Sequence, residues 1–294
     1  MLIDYEGDIM SIAQPEELAL KPAAPKHITV SPLTLRIGAE ISGVDLTQPL
    51  PQAVIDEIKD ALMTWQVIFF RDQKIDHEQQ KAFGRRFGEL FIHNGVAGIE
   101  GHPEIVRIHS DKDSKYVAGD NWHSDLTMNP VPPMGSILYN HTMPPVGGDT
   151  IWASMYAAYD ALSPRMKAHV EHLTALHDGE HVYRPIINDP TKTYPCSQHP
   201  VVRVHPVTRR RALFVNPSYT TRIVELPKPE SDALLAYLYQ HCQDPNFQVR
   251  FRWRAHSISF WDNRCTQHFA VYDYYPQTRS GFRVTIAGDE VIGA

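Results

Sequence analysis

The chain has 294 residues, of which 43% are hydrophobic, and its 28 Lys and Arg against 34 Asp and Glu give a formal net charge of −6. This length and apolar content suffice to bury the core of one domain. The acidic balance excludes a general attraction to nucleic acid or to an anionic membrane. Three widely spaced cysteines predict neither a disulfide framework nor a paired-cysteine zinc site. With no basic leader and no long apolar run, we expect a cytoplasmic protein whose partners are small molecules or other subunits.

The first half of the chain alternates predicted strands and helices. Residues 1–27 are rich in acidic residues and proline and show no period, which predicts a flexible N-terminal arm, with one domain over 28–294. Short strands are predicted around Gly38 and Gly43, a helix after Pro51, a buried strand over 67–70 and a helix capped by Asp76 over 77–87. An irregular stretch follows to Asn121, and stretches of that length are usually functional.

Predicted strands outnumber helices in the second half. Strands are predicted over 136–140, 150–152, 248–254, 257–261 and 281–287, with a hairpin over 201–205 and 212–216. Helices are predicted from about 155, over 165–173 and over 231–242, and residues 177–200 are predicted to form a loop. No repeated strand-helix unit or phosphate-binding glycine motif appears. These patterns predict a mainly β fold with flanking helices, a double-stranded β-helix or jelly roll.

A candidate metal site begins with His123 and Asp125, two residues apart in a run predicted to be extended. On extended backbone such side chains share one face. A His-x-Asp pair alone is more often an ordinary polar pair, so the prediction depends on a second, distant imidazole, and His268 supplies it after an apolar strand and a polar turn. Two histidines and a carboxylate hold non-haem Fe(II) and leave positions open for oxygen and an organic ligand. Zinc more often takes a third histidine or cysteines.

Two arginines follow the second histidine. The apolar residues at 282, 284 and 286 share one face of the predicted strand, so Arg279, Arg283 and Thr285 share the other. One guanidinium can bind one carboxylate through two parallel hydrogen bonds, and the second can meet a different anion. This pattern indicates a pocket that holds a dicarboxylate co-substrate and an acidic substrate together.

Together these motifs resemble the TauD/TfdA (taurine dioxygenase) family of Fe(II)- and 2-oxoglutarate-dependent dioxygenases. The resemblance extends from about residue 33 to residue 288. It rests on Gly38-Ala39-Glu40-Ile41, Asn121-Trp122-His123-x-Asp125, Gly147-Gly148-Asp149-Thr150, Thr220-Thr221-Arg222-Ile223 and Trp261-Asp262-Asn263-Arg264. It implies that His123, Asp125 and His268 bind iron. It also implies that Thr150 and Arg279 hold the distal carboxylate of 2-oxoglutarate.

The same resemblance implies a set of substrate contacts. Arg283 would face the anionic group of the substrate, with His93 and the backbone N–H of Leu126 as further contacts. Val96 and Gly119 stand where the taurine enzyme has a tyrosine and an asparagine. Both differences remove polar contacts and enlarge the pocket, so we expect a larger or more apolar acid than taurine.

The implied reaction couples decarboxylation of 2-oxoglutarate to succinate and CO₂ with hydroxylation of the substrate by O₂. Asp125 favours hydroxylation, because halogenating relatives lack that carboxylate. Sulfonates, alkyl sulfates, aryloxyalkanoates and related carboxylic acids all fit, and relatives often form dimers or tetramers. Two alternatives stay open, a non-catalytic metal-dependent small-molecule binding protein on the same scaffold and a cupin-like zinc hydrolase. Histidines outside these motifs, including His177, are expected to be solvated.

Overall fold

The computed structural model describes residues 25–93, 98–184, 187 and 189–294. Most of the predicted N-terminal arm and Val96 lie outside these residues. Within them the helices are α1 (Gln52–Trp65), α2 (His77–Arg85), α3 (Met155–Asp160), α4 (Pro164–Val170), α5 (Glu180–Tyr183) and α6 (Lys228–Cys242), with a 3₁₀ helix at Pro245–Phe247.

The strands of the described residues are mostly short. They are β1 (Thr29–Pro32), β2 (Ala39–Ser42), β3 (Val67–Phe70), β4 (Ile105–Ser110), β5 (Gly135–Thr142), β6 (Thr150–Ser154), β7 (Thr174–Asp178), β8 (Cys196–Pro200), β9 (Val202–Val204), β10 (Arg211–Leu213), β11 (Thr220–Ile223), β12 (Gln248–Phe251), β13 (Ser257–Asp262), β14 (Thr266–Ala270), β15 (Arg279–Ile286) and β16 (Ile292–Gly293).

One large sheet organises the molecule, in the order β1-β2-β3-β13-β5-β15-β4. Its strands pair antiparallel except β2 with β3, which are parallel. Three small sheets, β12-β6-β14, β11-β7-β8 and β10-β9-β16, complete the described β-structure. The mainly β fold with flanking helices is as the sequence predicts.

The two faces of the large sheet are covered differently. Helices α1 and α2 pack on one face, and the predicted stripe of α1, which includes Ile55 and Ile58, is buried there. The capping box of Asp76 and Gln79 begins α2 as predicted. Against the other face packs the β12-β6-β14 sheet, through an aromatic cluster in which Phe69 stacks on Phe251 at 3.9 Å. The space between these two sheets therefore receives side chains from β5, β6, β14 and β15.

The corner between β13 and β14 carries the chain from the large sheet to the small one. The backbone N–H of Cys265 and the hydroxyl of Thr266 both donate to the carbonyl of Asp262 at 3.3 and 2.8 Å. This tight corner places β14, and with it His268, opposite β15. The sequence pattern predicts a polar turn here but not the strand that follows it.

Several other predictions were wrong. The stretch before Asn121 contains the edge strand β4, which pairs only with β15 among the described strands. The predicted loop over 177–200 contains α5 and β8. His177 is fully buried rather than solvated, hydrogen-bonded to Thr127 at 2.9 Å. Burial lowers the pKa of His177 to about 3, so this imidazole is neutral. No helix of the described chain has the length and apolar character needed to cross a bilayer.

Candidate metal centre

Two reciprocal backbone hydrogen bonds bring the predicted histidines together. The N–H of His123 donates to the carbonyl of His268 at 3.1 Å, and the N–H of His268 donates back at 2.7 Å. The imidazole centroids lie 4.1 Å apart. Asp125 comes two residues later, and its Oδ1 lies 3.7 Å from Nε2 of His123 and 3.9 Å from Nε2 of His268. All three side chains are buried, so the structure unites the predicted triad.

The chemistry of this triad fits a single metal ion. Ligand atoms each about 2.0–2.2 Å from an ion lie about 3–4 Å from one another, as Oδ1 of Asp125 does from both Nε2 atoms, and all three ligand atoms lie within 4.8 Å of one another. Burial lowers the pKa of both His123 and His268, which keeps them neutral. Burial alone would raise the pKa of Asp125, but the Arg283 guanidinium reverses that effect and lowers it. Neutral imidazoles and an ionised carboxylate are the forms that bind metals.

The imidazole rings are oriented by contacts outside the triad. The Nδ1–H of His123 donates to the carbonyl of Asn121 at 2.8 Å, which leaves Nε2 as the nitrogen with a free lone pair. The ring of His268 lies 4.8 Å from that of Trp261 and is stacked at 6.3 Å from that of Trp152. Both rings are therefore held before any ion binds.

Besides Arg283, the carboxylate of Asp125 has two partners that the sequence does not predict. The hydroxyl of Ser136 donates to Oδ2 at 2.9 Å. The amide oxygen of Asn263 accepts from the backbone N–H of Asp125 and from the indole of Trp261, both at 3.1 Å, and its Nδ2 lies 3.4 Å from Oδ2. Oδ1 is the oxygen that faces the histidines, and it also accepts from Nη1 of Arg283 at 3.0 Å.

Thr150 and Arg279 meet as predicted at the start of β6 and β15. The Nη2 of Arg279 donates to Oγ1 of Thr150 at 3.2 Å, and the indole of Trp253 donates to the same oxygen at 2.9 Å. An oxygen that accepts twice has its own hydrogen free to donate elsewhere. Arg279 is only 5% exposed, and its Nε has no hydrogen-bond partner among the described residues. A buried guanidinium is unfavourable without an anionic partner. A carboxylate can accept hydrogen bonds from both Arg279 and Thr150.

The predicted substrate contacts lie close to Asp125. The Nη1 of Arg283 lies 3.0 Å from Oδ1 of Asp125. The Nε2 of His93 lies 3.1 Å from the hydroxyl of Thr285. Leu126 is buried and packs with Tyr219. Gly119 lies beside the triad, where a Cβ would come within 3.3 Å of Cε1 of His123.

An apolar wall next to this site was not predicted from the sequence. Leu126, Met128 and Tyr219 form a small buried cluster on which Phe91 and Tyr183 pack. The Tyr183 and Tyr219 hydroxyls lie 3.4 Å apart. These residues come from segments far apart in the chain and share no local motif, so only the fold brings them together.

A second group of buried potential ligands, His205, Asp262 and Cys265, does not have the properties of a metal site. Both oxygens of Asp262 accept from Arg264, at 2.9 and 2.7 Å, and His205 lies 3.0 Å from Oδ2. Burial raises the pKa of the Cys265 thiol well above its ordinary value, so it is protonated. A metal ion would have to displace a guanidinium here, and we assign the group to holding the β13–β14 corner.

Comparisons with known proteins agree with this site. The profile of the Taurine catabolism dioxygenase TauD, TfdA family matches residues 29–285. An alpha-ketoglutarate-dependent sulfate ester dioxygenase of Pseudomonas putida is 37% identical over 94% of this chain and 94% of its own length. The crystal structure of a taurine dioxygenase from Burkholderia xenovorans is 40% identical, with a TM-score of 0.81 over 91% of this chain and 92% of that one.

A further solved structure, AAD-2 in complex with Mn(II) and N-oxalylglycine, is 31% identical, with a TM-score of 0.76 over 90% of this chain and 98% of that one. The fold and the site thus define an oxygenase of the metal- and 2-oxoglutarate-dependent class. The chain belongs to the TauD/TfdA family, which confirms the resemblance seen in the motifs. A 2-oxoglutarate-dependent dioxygenase therefore fits better than a non-catalytic binding protein.

Proposed function

We propose that His123, Asp125 and His268 hold Fe(II), and that the chain hydroxylates a small anionic organic substrate while converting 2-oxoglutarate to succinate and CO₂. The observation that carries the proposal is the position of Asp125 Oδ1, within 4 Å of the Nε2 atoms of both histidines while Oδ2 is occupied. Two imidazoles and one carboxylate on one side of an ion leave its other positions open, which suits Fe(II) better than zinc.

Thr150 and Arg279 are proposed to bind the distal carboxylate of 2-oxoglutarate. The free hydroxyl hydrogen of Thr150 and the buried guanidinium of Arg279 offer two donors to one carboxylate. When bound, the iron and 2-oxoglutarate supply the oxidising chemistry with O₂. The chain's own residues orient the ligands, keep the imidazoles neutral and line the site with Trp152 and Trp261, which limit access of water.

The substrate is proposed to bind with its anionic group near Arg283, His93 and the backbone of Leu126. The wall formed by Leu126, Tyr219 and Tyr183 suits an apolar organic portion. Gly119 leaves room beside His123 that a larger residue would fill. Sulfonates, alkyl sulfates, aryloxyalkanoates and related carboxylic acids share these features. Similarity to the sulfate ester dioxygenase puts alkyl sulfates first among the acids to test.

We also propose that the facing sheets form a double-stranded β-helix, the jelly roll expected from the sequence. The aromatic cluster between the large sheet and β12-β6-β14 supports it. A dimer or tetramer, a cytoplasmic location and a flexible arm over residues 1–27 stay predictions. Light scattering of the purified chain tests the first of them.

The test is an anaerobic Fe(II) titration followed by succinate measurement with a panel of acids. We expect one Fe(II) per chain, and O₂-dependent succinate with at least one sulfate ester, sulfonate or carboxylic acid. His268→Ala should abolish turnover and weaken Fe(II) binding, whereas His172→Ala, which changes an exposed histidine, should change neither. A chain that binds metal yet consumes no 2-oxoglutarate with any acid would support the non-catalytic alternative.

A further inference from the structure

A glycine lies between the two site arginines on β15. Arg279, Gly281 and Arg283 are each two residues apart on this strand, so they lie on one face of the sheet. At one end of the row Arg279 donates to Thr150. At the other end Arg283 contacts Asp125. Gly281 is therefore midway between the proposed site for the distal carboxylate of 2-oxoglutarate and the metal triad.

The side chain of Asn140 occupies the space that this glycine leaves. Asn140 is opposite Gly281 in the β5–β15 pairing, and a Cβ on Gly281 would overlap its Oδ1 atom. On the same strand, Tyr139 packs in the core cluster on the helix side, whereas Leu138 packs in the aromatic cluster between the sheets. Because side chains alternate along a strand, Asn140 shares the inner face with Leu138. Its amide therefore lies over position 281, on the face that carries both arginines.

The amide of Asn140 has no use within the fold. The residue is fully buried, yet neither Oδ1 nor Nδ2 has a hydrogen-bond partner among the described residues. Burying a polar group without a partner is unfavourable, and an apolar side chain at this position would avoid that cost. A buried amide of this kind needs an explanation, and a ligand that accepts its hydrogen bond supplies one.

We propose that Asn140 is a further 2-oxoglutarate-binding residue, whose Nδ2 donates a hydrogen bond to an oxygen of the co-substrate. The inference rests on the proposed function, because it takes the metal triad and Arg279 as the two ends of the 2-oxoglutarate site. A molecule that extends from one end to the other along this face passes position 281, where the amide lies. The oxygens of ionised 2-oxoglutarate only accept hydrogen bonds, and Nδ2 of an asparagine has two hydrogens to donate.

A neutral donor suits this position better than a charged one. The guanidinium of Arg283 already lies beside the triad, where its charge opposes a bound cation. A third cationic side chain on the same face would increase that repulsion. The amide of Asn140 can donate to an anion without adding charge, and Gly281 leaves the room for it.

The direct test is anaerobic calorimetry of 2-oxoglutarate binding to the chain loaded with Mn(II), in the absence of acidic substrate. Asn140→Leu keeps the branched shape of the side chain and removes both polar atoms. It should weaken 2-oxoglutarate binding about tenfold, because one hydrogen bond to a charged group is lost. Asn140→Ala removes the amide and adds nothing that could collide with the ligand, and it should weaken binding by a similar factor. Mn(II) affinity should stay unchanged in both variants, because the amide has no hydrogen bond to the triad.

Ser259→Ala is the matched control. The Ser259 hydroxyl is equally buried and also has no partner among the described residues, but it lies on β13, which β5 separates from β15. This variant should leave 2-oxoglutarate affinity unchanged. In urea unfolding of the metal-free chain, neither Asn140→Leu nor Ser259→Ala should lower the midpoint, because neither removes a hydrogen bond within the described chain.

The outcomes separate this inference from the proposed function. Wild-type 2-oxoglutarate affinity in both Asn140 variants, or a loss in Asn140→Leu alone, overturns the contact with Asn140 while metal binding and turnover stand. Unchanged 2-oxoglutarate affinity with a raised KM for the acidic substrate assigns the amide to that substrate and overturns the inference as well. A wild-type chain that binds no 2-oxoglutarate in the presence of Mn(II) overturns the proposed function, whatever the variants do.

Discussion

The Nη1 atom of Arg283 lies 3.0 Å from Oδ1 of Asp125, the same carboxylate oxygen that faces His123 and His268. A guanidinium at this position has two effects. It helps to keep Asp125 ionised, and its charge opposes a second cation at the triad. An anionic substrate that binds Arg283 would offset that charge. Metal affinity and substrate affinity should therefore be coupled, each strengthening the other.

Arg283→Met tests this coupling. Without the competing charge, the variant should bind Mn(II), measured anaerobically by calorimetry, about tenfold more tightly than the wild type in the absence of substrate. It should also lose most of its affinity for the acidic substrate. In the wild type, but not in the variant, substrate should tighten Mn(II) binding. Arg254→Met removes an exposed arginine and serves as the control. Equal or weaker Mn(II) binding by Arg283→Met would contradict the coupling.

Gly119→Ala should weaken metal binding, because the added methyl group would fill the space that Gly119 leaves beside the triad. Gly119 has φ +87°, and a Cβ there would lie 3.3 Å from Cε1 of His123. Gly101 has φ +77° with nothing within 4 Å of its Cβ position, so Gly101→Ala introduces the backbone strain alone. Each variant should lose about 1–2 kcal/mol in urea unfolding. Only Gly119→Ala should lower Mn(II) affinity, and equal affinities would mean that His123 moves aside freely.

Trp253 should matter for 2-oxoglutarate although it comes from a strand end that carries no recognised motif. Its indole donates to Oγ1 of Thr150, which helps to turn the Thr150 hydrogen towards a ligand. Trp253→Phe should therefore raise KM for 2-oxoglutarate about three- to tenfold and leave KM for the acidic substrate unchanged. Trp65→Phe, at the end of α1 and away from the site, should change neither constant. A rise in both constants would indicate general damage.

The sequence predicted the parts of the site that depend on local geometry. The two-residue spacing predicts that His123 and Asp125 lie together, and they do, although only His123 forms a β-bridge and Asp125 begins a turn. Arg279 and Arg283 face one space because they lie on one side of β15. These rules hold before tertiary contacts are known. The same rules do not predict β14. The chain passes from the large sheet to the small sheet at the Asp262 corner, and no periodicity in the sequence marks this change.

The contacts around the triad could not be predicted in this way. Ser136 is one polar residue in a buried strand, and its partners Asp125 and Thr285 are set by a tertiary contact and a strand register that the sequence leaves open. The sequence predicts a solvated His177, and this prediction is wrong because the spacing of histidines carries little information about burial. Its pairing with Thr127 depends on the fold closing over it. Contacts between distant segments decide both cases.

Asp262 should contribute more to stability than any exposed acid, because it is 1% exposed and bound by Arg264 through both oxygens. Asp262→Asn leaves the buried guanidinium of Arg264 with only the exposed Asp289 as a counter-charge and should lower the free energy of unfolding by about 3–5 kcal/mol. Asp289→Asn removes the exposed partner of the same arginine and should cost less than about 1 kcal/mol.

Arg264 and His205 overcome the effect of burial and lower the pKa of Asp262 below its ordinary value of 3.8. The unfolded chain therefore takes up a proton first as the pH falls, so this contribution is present above about pH 4 and is lost below it. In urea unfolding measured from pH 7 to pH 3, the free energies of unfolding of the two variants should converge at the low-pH end. A difference that does not change with pH would mean that another interaction stabilises the corner.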